Sequence, residues 1–514
     1  MDRIVALRCL TAAALIGIAS QALFFRTAPG LNALLIALAV LLAGVAVAWP
    51  VRRIDLPDLW IPIATVAVVA MVAIRTDETL VFLDVVTGMT LLGASMAAIG
   101  GGRLTRRSAV AITTMGFIVL GWIVVGVFRV LPASRLPEGS GARRVPAPVV
   151  RIARGVVIAV PVLFLFGALF ASADAIFASW TDGLLDWNLE LGQLPERAAI
   201  ALLVAWAVAG LVAVAAGALD VEPGAERDAG AAAPEMQSLG AAVATPAAAA
   251  TPRLLRLGHV EATIVLVAVT ALFAVFVGLQ VAYLFGGLDT LSAGGITYSS
   301  YARRGFFELV AATGLAGGLV LVLHAVIERR TLTFVGAAVA LAALNVVILA
   351  SAALRLRLYQ EAYGWTELRF YIYATMAWMA LLIAGGIVLL VRDRLRWIAH
   401  LMAMSAVVVL VVVNVVGAQR HVAEQNVARL LNPGLVPEDG RAGIDLEYLR
   451  YLGDDAIPAF VEALPALDPY DQGLVTDELR DRWRELNELE ATAWPAWNLA
   501  RERARDALRP LFGG

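Results

Sequence analysis

Arg303 and Arg304 stand side by side at the mouth of an apolar run, and Glu308 lies inside that run, one helical turn beyond Arg304. In a helix Arg304 and Glu308 share a face and can pair, which leaves Arg303 for a headgroup, a substrate or another helix. Guanidinium groups hold anions through charge-assisted, often bidentate hydrogen bonds, so the chemistry on offer is recognition of a carboxylate or phosphate. A second cluster, Glu361, Tyr363, Glu367 and Arg369, lies in "RLRLYQEAYGWTELRFYIY" (355–373), between two apolar runs. Its charges alternate with aromatics of the kind that belt a membrane interface. Crossing parity places both clusters at one face, where a paired arginine–carboxylate site is expected. A third stretch, "SADAIFASWTDGLLDWNLELG" (172–192), carries Asp174 and has the leucine and tryptophan spacing of an amphipathic helix lying along a surface. Asp84, His324 and Asn345 are lone polar groups within apolar runs, as are Gln280, His400 and Asn414. An ionised group in hydrocarbon costs roughly 3 kcal/mol, which makes Asp84 the most expensive of them. The ordinary role of such groups is hydrogen bonding between helices, and that of arginines at helix ends is snorkelling to headgroups.

Around these clusters the familiar soluble-enzyme signatures are missing. All 40 basic residues are arginine, so a Schiff-base or P-loop lysine is excluded. The single cysteine, Cys9, forbids an intrachain disulfide or a cysteine metal cluster, and the four histidines are far apart. No phosphate-binding glycine loop follows a strand-like run. No metal and no cofactor is expected. The net charge of -2 gives no basic surplus for a nucleic-acid partner.

The elements that must position the clusters are membrane helices. Sixty per cent of the 514 residues are hydrophobic and only 16% charged, where soluble chains carry about a quarter charged residues. About twelve apolar runs approach the roughly 20 residues that span hydrocarbon as a helix, near 5–25, 30–50, 57–75, 80–101, 108–130, 153–173, 198–219, 260–285, 306–327, 332–354, 370–391 and 397–417. Helices are required because each buried amide needs an internal partner. The first run, with its charged start, reads as an uncleaved helix because a second follows at once. The fold expected is therefore all-α, a polytopic transmembrane helix bundle with a small helical C-terminal extramembrane domain.

Composition divides the chain into membrane helices over 1–219, an alanine- and proline-rich linker over 220–256, further membrane helices over 257–417 and the extramembrane domain over 418–514. In that last part Leu479, Trp483 and Leu486 share one helical face, with Glu478 and Arg482 paired on the other side. Arginine-rich loops at 52–53 and 103–107 argue for a cytoplasmic amino terminus, and those at 329–330 and 392–396 for a tail on the opposite side. The two statements together require an odd number of crossings, so one run is half-inserted. The arginine-rich loop at 131–154 points to 108–130.

"YARRGFFELVAATGLAGGLVL", "RLRLYQEAYGWTELRFYIYATMAWMALL", "ASADAIFA" and "DLEYLRYLGDDAIPAF" together resemble an uncharacterised family of bacterial polytopic membrane proteins, domain of unknown function number 4173. The resemblance covers about 150–465. It implies an integral protein of the bacterial cytoplasmic membrane and lends no catalytic role to any position.

Three functions stay open. The first is transport or handling of an anionic or lipid-like ligand at a cavity mouth lined by the charged clusters. The second is an enzyme on lipid-linked substrates, with Asp174 or Glu361 as acid or base. The third is a scaffold or signalling partner acting through the C-terminal domain. The partners expected are membrane lipids and, for the third reading, another protein.

Overall fold

A computed structural model describes residues 2–49, 54–107, 109–134, 193–218, 259–285, 306–327, 330–437, 448, 451–488 and 493–513. Among these the chain is all-helical, without a strand. It forms two compact units, Met1–Val221 with Glu485–Leu499, and Glu222–Arg484 with Ala500–Gly514.

The first unit contains α1 (Arg3–Phe24), α2 (Leu31–Ala48), α3 (Trp60–Met71), α4 (Glu78–Ile99), α5 (Ala109–Val125), α6 (Val127–Ala133) and α7 (Leu194–Ala213). Their apolar composition makes lipid the solvent, and small residues let the helices approach. Gly17 of α1 lies so close to α7 that a Cβ there would meet that of Ala205 at 2.7 Å. Buried hydroxyls bond their own helices and each other: Thr65 of α3 and Ser95 of α4 are 2.9 Å apart. At one end of the unit, Asp58 accepts the N–H groups of Leu104 and Thr105 at 2.9 and 2.8 Å, tying the entry of α3 to the exit of α4. At the other end the C-terminal stretch 493–499 lies across two turns. Leu31 N–H donates to the Trp497 carbonyl (3.0 Å) and Leu499 N–H to that of Ala73 (2.9 Å). Asn498, 1% exposed, donates its amide to the carbonyls of Val72 and Arg75, each at 3.0 Å.

The second unit contains α8 (His259–Phe285), α9 (Phe306–Val326), α10 (Leu332–Tyr363), α11 (Glu367–Val391), α12 (Ile398–Val416), α13 (Ala418–Leu431), α14 (Ile457–Ala463) and most of α15 (Pro469–Leu486) and α16 (Leu499–Phe512). Ala262 and Leu266 of α8 pack with Phe334, Ala338 and Leu341 of α10, and Val277 packs further along with Ile348 and Ala352. The two helices therefore run in the same direction. Arg330 pairs with Asp393 at 2.8 Å and also donates to the Leu390 carbonyl, so the α9–α10 and α11–α12 turns share one end of the unit. In α15 Leu479 and Leu486 are buried and Glu478 pairs with Arg482 at 3.8 Å, as the spacing predicts.

Among the described residues eight helices are long and apolar enough to cross a membrane, or nine if the bent α5–α6 pair is one span. Of the twelve runs expected, that at 57–75 gives the 12-residue α3, that at 306–327 gives the 21-residue α9, and the run near 153–173 lies outside the described residues. The run at 108–130 is broken at Gly126, where α5 and α6 meet at 60°. The charged stretch 355–373 is not a long connection between spans: α10 continues to Tyr363 and α11 starts at Glu367, which leaves three residues, Gly364–Thr366, as the turn.

Candidate functional site

Of the predicted site residues, Arg303, Arg304 and Asp174 lie outside the described residues. Glu308 belongs to α9, with its side chain likewise outside. The expected pairing of the first cluster with the second therefore falls outside what the structure describes. The second cluster is described, and it is built around the α10–α11 turn.

The turn exists because Gly364 takes φ +80°, a left-handed conformation that closes α10 through its N–H bond to the Gln360 carbonyl at 2.8 Å. Thr366 then caps α11, accepting the N–H of Arg369, with Glu367 in the first turn where a carboxylate suits the helix dipole. The exposed backbone between the helices is held by α13. Asn426 Oδ1 accepts the Trp365 N–H and its Nδ2 donates to the Trp365 carbonyl, both at 2.9 Å, so one amide pairs with both groups of the turn residue. Buried Arg429 donates to the Glu361 and Ala362 carbonyls at 2.5 and 3.4 Å, placing a cation on the C-terminus of α10. Burial, and then the charge of Arg369, hold the Arg429 guanidinium below its ordinary value.

The charged side chains are engaged within the same unit. Glu361 accepts from Arg357 at 2.7 Å, one helical turn away. Glu367 accepts the Gln419 amide at 3.0 Å, and its N–H donates to the Tyr448 hydroxyl at 2.7 Å. Gln419 in turn accepts the Gly453 N–H at 3.0 Å. Arg369 donates to the Gly364 carbonyl and lies 4.4 Å over the Tyr359 ring, which itself stacks on Tyr363 at 4.8 Å. His421 is wedged edge-on against Trp365 at 4.8 Å and near Phe370 at 5.6 Å. Burial lowers its pKa, with Glu424 opposing and Arg420 reinforcing the shift. Under this polar layer Val422, Ala423, Val427, Leu452, Ala456 and Ala459 form a compact apolar core. Among the described residues no group of three histidine, cysteine or acidic side chains is placed to hold a metal ion.

The lone intramembrane groups lie apart from this site. Asp84 is fully buried on α4 and is not without a partner. Asn345 donates to the Leu341 carbonyl of its own helix at 2.8 Å. His324 lies on α9, two turns from Ala316, which packs in the first core of the unit. None of the three joins the turn.

The two sequence stretches that meet here, "EAYGWTELRF" and "DLEYLRYLGDDAIPAF", are also among those whose combination looked family-specific. A family model described as "Domain of unknown function (DUF4153)" matches residues 61–463. The chain belongs to this family. No curated protein and no solved structure matches it. The DUF4153 match agrees with an uncharacterised family over most of the chain but does not support the number 4173 drawn from the resemblance. The DUF4153 region runs from α3 to the last residue of α14, so it contains the whole α10–α11 turn with its α13 clamp.

Sequence reading did not single out Gln419, Asn426, Arg429 or Tyr448. One signal was available: Gln419 and Asn426 are seven residues apart, on the same stripe of α13 as buried Val422 and Ala423. An amide on an apolar stripe needs an internal partner.

Proposed function

We propose that the protein is a multi-pass scaffold or signalling partner of a bacterial cytoplasmic membrane, in which the C-terminal helices meet another protein and the α10–α11 turn holds them to the bundle. One observation carries this reading: Glu367 and Arg369 of the 355–373 cluster fasten α11 to α13 and to the α10–α11 turn, Glu361 is paired with Arg357 within α10, and Arg429 of α13 holds the C-terminus of α10. A mouth built to capture an anion keeps its cations for the ligand. Here Arg369 and Arg429 are spent on backbone carbonyls, and Glu361, the candidate acid or base, is held by Arg357. The C-terminal helices also offer exposed contact groups on α15, with Tyr470 75% exposed and Leu474 beside it.

Transport or handling of an anionic, lipid-like ligand is the second reading. The broken α5–α6 pair favours it, since interrupted membrane helices commonly line transporter binding sites. Complementation of a deletion strain separates the two. On the scaffold reading, Tyr470→Ala with Leu474→Ala abolishes rescue while the protein stays in carbonate-washed membranes at normal abundance, and Arg304→Ala with Glu308→Ala leaves rescue intact. The reverse pattern returns function to the arginine pair and to transport.

A further inference from the structure

The contacts within each unit fix which helix ends lie together, and in the first unit these ends carry unequal numbers of arginines. In the first unit the Asp58–Leu104 contact joins the α2–α3 and α4–α5 connections at one end, where the sequence places Arg52, Arg53, Arg103, Arg106 and Arg107. The opposite end holds the α1–α2 and α3–α4 turns and the start of α7, with Arg26, Arg75 and Arg197 among the described residues. It is this arginine-poor end that the 493–499 stretch covers, through Leu31, Val72, Ala73 and Arg75.

The α5–α6 pair begins and ends at the arginine-rich end. Met115 lies against Gly102, just past the exit of α4. Val119 lies against Gly93, six residues inside α4 and so about 9 Å deep at 1.5 Å per residue. Trp206 of α7 donates to the Val124 carbonyl at 3.1 Å, and a Cβ at Gly126 would meet the Gly210 Cα at 2.8 Å, within one turn of the end of α7. That end of α7 is arginine-side, because Val214 and Ala215 lie against Gly100. After the bend, the carbonyl of Ser134 accepts from Arg3 Nε at 3.3 Å, at the very start of α1. The pair enters to about a third of the length of α4 and returns.

The geometry points to a re-entrant α5–α6 hairpin dipping in from the cytoplasmic side, an odd number of crossings in all, and C-terminal helices on the non-cytoplasmic side. Non-helical backbone within the hydrocarbon is tolerated where protein covers it, and the close backbone approach at Gly126 and Gly210 supplies that cover. Ser134 lies at the arginine-rich end, whereas Arg197, near the start of α7, lies at the other end: it donates to Gln21 at 3.1 Å and covers the Phe25 ring at 4.1 Å. The interval between them lies outside the described residues, and its sequence holds the apolar run near 153–173. In the second unit the Arg330–Asp393 contact joins the α9–α10 and α11–α12 turns at the end where α8 and α10 begin, and α12 delivers α13 and the tail to the opposite end. Arginines stand at both ends of this unit, so the assignment of sides rests on the first unit, whose arginine-poor end the 493–499 stretch covers. With α3, α9 and the apolar run near 153–173 counted as crossings, the total is eleven rather than the twelve expected. The proposal stands whether or not the tail is the working part of the protein.

Single-cysteine labelling tests it, because the one native cysteine, Cys9, is 0% exposed and is replaced by alanine in every variant. Tyr470→Cys or Asp477→Cys reports the tail, Arg394→Cys the arginine-rich turn and Ser134→Cys the exit of α6, all in the full chain. The expected result is labelling of either tail cysteine by a membrane-impermeant maleimide on sealed, right-side-out membranes, with Arg394→Cys and Ser134→Cys labelled only after permeabilisation. Labelling of Ser134→Cys before permeabilisation makes α5–α6 a full crossing and overturns the hairpin. Protection of both tail cysteines until permeabilisation overturns the non-cytoplasmic tail. Detergent-solubilised samples, where all four positions must label, identify any variant that fails to fold, and the second tail position then decides.

Discussion

Asn426 pairs with both backbone groups of Trp365, so its removal leaves a donor and an acceptor without their partner at once. Asn426→Ala should cost about 1–3 kcal/mol, read as a lower Tm in detergent, and Asn426→Asp should recover only part because a carboxylate cannot donate. Gly364→Ala should destabilise by roughly 1–2 kcal/mol, since the left-handed φ penalises any Cβ. That Cβ would also lie 2.8 Å from Asn426 Oδ1, so the two substitutions should not add. His421 supplies a pH dependence of fixed sign. Its pKa in the folded protein is lowered below the ordinary 6.5, so the unfolded chain binds the proton more readily. The stability it contributes is complete above that value and is lost as pH falls toward the folded pKa. Thermal melts stepped downward from about pH 7.5 should show this loss, and His421→Phe should flatten it. None of these roles was legible locally, because the partners of the Trp365 backbone and of the Glu361 carbonyl lie more than 60 residues away.

The helices themselves were legible, because the bilayer demands both length and apolarity and the sequence must show both. The misreading at 355–373 has a physical cause. Arginine and glutamate lowered the apolar signal there, yet residues four apart on a helix can pair, as Arg357 and Glu361 do, and α10 runs on past the end of its apolar part. The α5–α6 break carried only a topological hint, the arginine imbalance, since a glycine in an apolar run does not by itself declare a bend. At this scale the 493–499 stretch is the most exposed to test. Asn498→Ala removes two hydrogen bonds to the end of α3 and should increase proteolysis of the 485–499 region while α10–α13 stays protected, as read by limited digestion in detergent.

For the whole molecule the composition predicted a membrane protein, and the eight span-length helices among the described residues agree with that. The division into units was less legible. A composition break near Ala418 cannot show that Glu485–Leu499, at the far end of the chain, packs with the first helices rather than with its sequence neighbours. That packing has a consequence for biosynthesis. The receiving carbonyls at Val72, Ala73 and Arg75 leave the ribosome roughly 400 residues before Asn498 does, which at about 5–20 residues per second is a wait of roughly 20–80 s. During that interval the newborn first unit has an unlatched rim, and a nonsense codon anywhere upstream of Asn498 would leave it so permanently, marking the truncated product for quality-control proteases.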